Sequence, residues 1–309
     1  MTFTLILEQA FNGLQAGVTL FLVSAGLTLI LGIMDFVFLA HGSQVMIGAY
    51  AVAAISNWTG NFFFGVLGAI PVTFAFGYLL EYLIIRHLYQ RDHMDQVLAT
   101  FGLILFFNEL IRIGFGPAAL FSDLPRSLAG FVEILPDVPY PAYRLAVIGL
   151  GLAFALLIHL FVSHTRIGAL VRAGANNPDM TAALGVNISN LFRLIFAAGA
   201  CLAGIAGITL APLTAVQPGM GEPLLILSLV VIIIGGIGSV RGAFIAAILV
   251  GLIDTLGRVF LPSLLRLVID QSAADGAGPA LASMLVYILM AVVLVFRPSG
   301  LFPVKGQAR

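Results

Sequence analysis

Charge is what this chain lacks most. Of its 309 residues only 9% are Asp, Glu, Lys or Arg, and a single lysine, Lys305, occurs in the whole sequence; soluble domains carry about 25% charged residues. A phosphate-cradling Gly-x-x-x-x-Gly-Lys-Ser/Thr loop is absent, so the chain has no such device for holding a nucleotide. The 14 basic and 14 acidic residues cancel, and nothing in that balance points to nucleic acid or to a strongly anionic ligand. Cysteine is nearly missing as well. Cys201 stands alone in an apolar run, which leaves a disulfide, a redox pair or a thiolate metal site without a second thiol; it is expected to pack as a small hydrophobe. No basic leader with a small-residue cleavage site precedes the first apolar run, so that run is expected to remain as a membrane span.

What the chain has in abundance is apolar length. Apolar residues make up 61% of it, and crossing a hydrocarbon core of roughly 30 Å takes about 20 of them in helical form. Residues 9–34 are uncharged, and no Asp, Glu, Lys or Arg occurs between Asp35 and Glu81. The spacing predicts an all-α polytopic membrane protein with about nine spans, near 10–33, 37–57, 62–85, 96–115, 144–162, 193–216, 223–236, 242–258 and 279–296. Eight or ten are allowed, because the Gly-rich stretches 34–44 and 235–242 are suited to broken or re-entrant segments. The 34 glycines often stand beside other small residues, as at Gly204 and Gly207, where close helix approach in lipid is the expected use.

The connections differ in character. Residues 116–142 carry Pro117, Pro125, Pro136, Pro139 and Pro141 with Asp123, Glu133 and Asp137, which reads as a structured exterior loop. Short loops rich in Lys/Arg face the cytoplasm. Segments 86–95, 163–193, 237–241 and 297–309 hold nine of the 14 basic residues and are placed inside, which puts the N-terminus outside. The whole of 1–309 is expected to be one transmembrane domain.

Within 163–193 a short helix announces itself. Asn177 suits an N-cap, Pro178 the first helical position, Asp179 the positive helix end, and Gly185 the left-handed exit. Its flanks hold Arg166, Arg172 and Arg193. A helix of about two turns cannot span; it suits either a surface amphipathic segment or a rigid contact with a cytosolic partner.

Here a resemblance becomes visible. The run from Asp179 to Gly185 resembles the coupling-helix motif of ATP-binding-cassette importer permeases, an acid followed six positions later by Gly, with Ile195 ten residues further on. Asp replaces the usual Glu, Met180-Thr181 replaces a pair of alanines, and the closing Leu-Pro is absent. Asn12-Gly13, the Ala25–Leu29 block, Ala40-His-Gly42, Met46–Tyr50, Leu202–Gly207, Gly235–Ser239 and Arg297–Leu301 follow one another in order. Together they resemble the branched-chain amino acid permease family, LivH-type, over nearly the whole chain. The resemblance implies a bacterial inner-membrane importer made of this subunit, a second homologous permease, two cytoplasmic ATPases that bind the ATP, and a periplasmic substrate-binding protein. It also implies that this chain is not itself an enzyme and holds no cofactor. Arg172, Asn177, Pro178, Asp179 and Gly185 would then couple to the ATPase. Branched-chain or related amino acids, urea or short amides are the substrate classes it suggests.

Polar residues in or beside spans are the candidates for a translocation path: Asn12, His41, Gln44, Asn108 and Glu109. His41 suits either substrate contact or a backbone bond at a helix end. Glu109 with Arg112, and Asp254 with Arg258, are spaced to pair on one helix face, as internal ties or as a vestibule lining. Metal binding lacks a second nearby His or Cys, and a protease built on Ser43 and His41 lacks convergent side chains. A self-sufficient secondary transporter or channel for a small neutral solute is the competing reading.

Overall fold

The computed structural model describes residues 3–135 and 138–302; Pro136, Asp137 and Lys305 lie outside them. The described chain is helical almost throughout. Its elements are α1 (Phe3–Met34), α2 (His41–Thr59), α3 (Phe62–Leu83), α4 (His93–Phe115), a hairpin of β1 (Phe131–Leu135) and β2 (Val138–Pro141), α5 (Ala142–His164), α6 (Arg166–Asn176), α7 (Pro178–Ala183), α8 (Ile188–Leu210), α9 (Glu222–Gly235), α10 (Val240–Leu265) and α11 (Gln271–Phe296). Long uncharged runs become helices because hydrocarbon offers no partner to a bare N–H or C=O, and a helix satisfies both within one segment.

Among the described residues seven helices, not nine, are long and apolar enough to cross a membrane: those within Thr4–Met34, Phe62–His87, His93–Phe115, Ala142–His164, Ile188–Leu210, Val240–Leu265 and Gln271–Phe296. The shortfall falls on the predicted spans 37–57 and 223–236. The first becomes α2, whose His41, Ser43, Gln44, Ser56 and Asn57 dilute its apolar character. The second becomes α9, whose 14 residues reach about 21 Å at 1.5 Å per residue, short of the roughly 30 Å core. Both Gly-rich breaks anticipated from sequence are present, at 35–40 and 236–239; the connection expected at 217–222 is longer, running over 211–221.

Backbone contacts group the chain into two units, each assembled from separated segments. One holds Leu22–Pro125 and Phe154–Ser228, with α2, α3 and α8 as its core. A Cβ at Gly48 would fall on the backbone of Gly204, one at Gly207 on the carbonyl oxygen of Val45, and one at Gly77 on Ala200. Glycine is what lets these backbones touch. The break between α1 and α2 is held from the side: Gln96 accepts from the Val37 amide (3.2 Å) and Thr100 from the Leu39 amide (3.3 Å). Phe38 meets Phe196 edge-on at 4.9 Å, and Phe36 meets Tyr89 at 5.7 Å.

The other unit holds Met1–Phe21, Arg126–Ala153 and Leu229–Arg309. Here α10 and α11 form an antiparallel pair in which Gly257 faces Ala282 and Gly278 faces Pro262. Arg258 pairs with Asp254 and also donates to Ser283 (3.0 Å), so this predicted pair ties α10 to α11 at an exposed position. The first half of α1 rests on α10 through Gly13, Gly17 and Gly251. The Pro-rich segment forms the antiparallel hairpin, with Val132 opposite Tyr140, and Tyr140 donates to Asn12 (3.0 Å). The start of α1 and the hairpin therefore share one end of this unit. At α9's C-terminus, the amides of Leu301 and Phe302 donate to Ile234 and Gly235 (2.8 and 3.0 Å), so segment 237–241 and the residues after Arg297 also share an end.

Gly207→Leu is expected to unfold the α2–α8 crossing, since its Cβ has only the Val45 carbonyl and the Ala49 amide to occupy; overpacking of this kind costs about 3 kcal/mol. Thermal melting in detergent should fall for this variant and not for Gly102→Leu, whose Cβ meets nothing within 4 Å. Equal melting of the two would contradict the crossing.

Candidate functional site

Two places in the molecule concentrate polar structure. The first is the segment from Thr165 to Asn190, in which every helix is capped by a side chain. Thr165 Oγ1 accepts from the Gly168 amide (2.9 Å), Asn177 Oδ1 from Met180 (2.9 Å) and Asn187 Oδ1 from Asn190 (3.0 Å), each satisfying an orphan donor of a first helical turn. Pro178 occupies the first turn of α7; the side chains of Pro178 and Asp179 lie outside the described residues. α7 ends in a Schellman motif: Gly185 takes φ +87°, its amide donates to Ala182 (2.9 Å), and the Val186 amide donates to Thr181 (3.4 Å). Only glycine takes that backbone conformation without penalty. Arg172 is exposed on α6. Sequence reasoning had not singled out Met180 and Leu184, which stand 62% and 79% exposed and give this small capped helix an uncovered apolar surface.

Behind this segment lies a buried ion pair. Arg193, in the second turn of α8, donates to Glu81 at the end of α3 (2.9 Å), where the Glu81 side chain is 1% exposed. Tyr89 donates to the other face of the same carboxylate (3.0 Å), and the Arg193 guanidinium lies 5.3 and 5.0 Å from the Tyr78 and Tyr82 ring centres. Burial first, and the Glu81 carboxylate second, push the Tyr89 phenol above its ordinary range, so it stays protonated and donates to that carboxylate. Breaking the pair would strand the buried Glu81 carboxylate without its cation. From sequence Glu81 was no more than an acid near a span end, because its partner is 112 residues away.

The second place is where α2 and α9 begin. Gly42 and Gly221 touch, and a Cβ on either would strike the other's carbonyl oxygen, so the N-terminal ends of the two short helices abut. Helix starts carry unsatisfied N–H groups and a partial positive charge. Glu222, the first residue of α9, accepts from Asn108 Nδ2 at 2.6 Å. His41 Nε2 donates to the Val23 carbonyl (3.0 Å), the backbone bond expected of a helix-end histidine, and this leaves Nδ1 as the acceptor. Gln44 is turned toward that ring, yet His41 Nδ1 and both amide atoms of Gln44 are buried with no partner at hydrogen-bonding distance. The His41 ring abuts Gly26, which itself packs on Gly199, the middle of α8. This polar cluster therefore lies level with the centre of a spanning helix, not at its rim.

Of the residues expected along a path, His41 and Gln44 sit on the first turn of α2, and Asn108 joins Glu222. Asn12 and Glu109 do not join them. Asn12 accepts from Tyr140 and Arg144 in the other unit, and Glu109 is 61% exposed and paired with Arg112 (3.1 Å). That pair forms as spaced, on the surface and not as an internal tie. Glu222 went unnoticed in the sequence, although Gly219-Met-Gly-Glu-Pro223 between apolar runs is a break signal. Among the described residues no cluster of three His, Cys, Asp or Glu is placed to hold a metal.

Comparison with known proteins gives the family. The family described as branched-chain amino acid transport system, permease component, matches residues 9–294. The high-affinity branched-chain amino acid permease BraD of Pseudomonas aeruginosa is 27% identical over 307 residues, covering 96% of this chain and 95% of its own. LivH of Escherichia coli is 26% identical over 313 residues, covering 97% and 96%. A probable LivH permease of Methanocaldococcus jannaschii is 27% identical over 261 residues, covering 79% and 78%. No solved structure matches. With the family matched over almost its full length and seven helices fit to cross a bilayer, the chain is a multi-pass membrane protein and belongs to the permease family of branched-chain amino acid transport systems.

Proposed function

We propose that this chain is the permease subunit of an ATP-binding-cassette importer in the bacterial inner membrane, and that it carries a zwitterionic amino acid past the meeting point of α2 and α9. The observation that carries this reading is the abutting of two helix starts beside one carboxylate. The positive ends of these helices favour a substrate carboxylate, while Glu222, held by Asn108, is placed to accept an ammonium. Urea or a neutral amide can offer that carboxylate N–H groups but no positive charge, so an amino acid fits better.

Power arrives from elsewhere, because the chain has no phosphate loop. Two partner ATPases, fed in turn by a periplasmic binding protein, would seat α7 in a cleft, with Met180 and Leu184 as its apolar contacts and Arg172 on the adjoining helix. A second homologous permease would supply the matching helix for the other ATPase. Movement of α7 would pass through the Asn187 cap to α8 and through Arg193–Glu81 to α3, shifting the spans between outward and inward access. A proton-coupled secondary transporter is the second reading, favoured by Glu222 as an acid at the level of the helix breaks. Uptake that survives an ionophore while ATP stays high excludes it.

Gly185→Val places a β-branched residue in a left-handed conformation at a cost of roughly 1 kcal/mol or more. In the reconstituted transporter with loaded binding protein, uptake and substrate-stimulated ATP hydrolysis should both fall at least tenfold while the subunits still assemble. Retained stimulation would make the segment a plain connection.

Glu222→Gln removes a charge-assisted hydrogen bond, which contributes about 1.5–3 kcal/mol, so the KM for amino-acid uptake should rise at least tenfold with basal ATPase activity unaltered. An unchanged KM would remove Glu222 from the substrate's path.

A further inference from the structure

An apolar cavity of about 290 Å³ lies among α1, α3, α5, α6 and α8, well away from the meeting of α2 and α9 in sequence and in lining. Leu29, Phe74, Phe161 and Ala198 line it, Cys201 is its one side chain that is not a hydrocarbon, and Ile167 and Val171 close it on the α6 side. Water gains nothing there, since a buried water needs two to four polar partners. Four of the five lining helices are membrane-crossing in length and composition, so the medium that reaches this cavity is hydrocarbon.

The same short helix that closes the cavity carries two cations. On α6, Ile167 and Val171 share a face, while Arg166 and Arg172 stand at about 120° to either side of the stripe's centre, by the 3.6-residue turn. Both arginines are exposed, and among the described residues neither has a carboxylate within ion-pair distance. Apolar side chains turned into an acyl-sized cavity, flanked by two exposed guanidiniums at the end of the spans, are complementary to a lipid with a negative headgroup. A second protein helix would meet the same cavity with no counter-charge required.

We propose that this cavity holds an acyl chain of an anionic phospholipid whose phosphate is drawn by Arg166 and Arg172. Each arginine near the headgroup layer contributes roughly fivefold in affinity, so an anionic lipid should outcompete a zwitterionic one of equal chain length by an order of magnitude or more. The lipid would act as a wedge under α6, ahead of α7.

The test uses the complete transporter in nanodiscs of phosphatidylglycerol or phosphatidylcholine with identical chains, followed by native mass spectrometry after detergent extraction. Wild type should retain phosphatidylglycerol, one molecule per copy of this chain, and little phosphatidylcholine. Ala198→Phe, which fills the cavity, and Arg166→Gln/Arg172→Gln, which removes the charges at the surface, should each abolish that retention. As a second readout, alkylation of Cys201 by N-ethylmaleimide, followed by intact mass, should slow at least fivefold when phosphatidylglycerol is added to delipidated complex and not when phosphatidylcholine is added. Equal retention or equal protection by the two lipids overturns the proposal, as does retention in the double arginine variant or a neighbouring polypeptide found in the cavity.

Discussion

The constraint on which the rest depends is that a bilayer interior supplies no hydrogen-bond partner, so every departure from helix must be satisfied by the protein itself. The break at 35–40 shows how this is met. Gln96 accepts from Val37 and also donates to the carbonyls of Leu88 (3.3 Å) and Arg91 (3.1 Å), while Thr100 accepts from Leu39. One amide side chain thus secures both the break and the start of α4. The break at 211–221 is met differently, by a two-bond bridge between Leu120 and Val216 (2.8 and 2.9 Å).

Breaking a helix inside the membrane has a chemical consequence. It exposes a helix start, and two such starts that meet at Gly42 and Gly221 create a positive spot where lipid would otherwise forbid polarity. Glycine is required there on steric grounds alone, since any side chain would separate the two ends. The buried but unpartnered amide of Gln44 stands out beside this spot. Buried polar groups left unsatisfied are rare and costly, and the polar side chain that Gln44 is turned toward is His41.

The other end of the molecule solves a mechanical problem. A six-residue helix has almost no stability of its own, yet α7 is fixed by a cap before it, a Schellman exit after it and a capped α8 immediately beyond. Rigidity at that point matters because the next polar contact along α8 is the Arg193–Glu81 pair. Two tyrosine faces and a tyrosine hydroxyl hold that pair, so α3 and α8 meet at a defined place.

Much of this was legible in residue order because it depends on neighbours. Helical spans follow from uninterrupted apolar runs, the Gly-rich breaks from composition, and the Asn177–Gly185 helix from caps that act over three or four residues. The count of crossings was less legible, since α2 carries polar residues within an uncharged run and α9, at 14 residues, is too short to cross. By itself, then, the sequence determined a polytopic helical permease, its capped short helix and its family. Tertiary structure alone decided that Arg193 meets Glu81 across 112 residues, that Asn108 meets Glu222 across 114, and that Gly42 touches Gly221. The physical reason is that caps and periodicity are set within one or two turns, whereas the pairing of isolated charges and the meeting of helix ends depend on which backbones glycine allows to close.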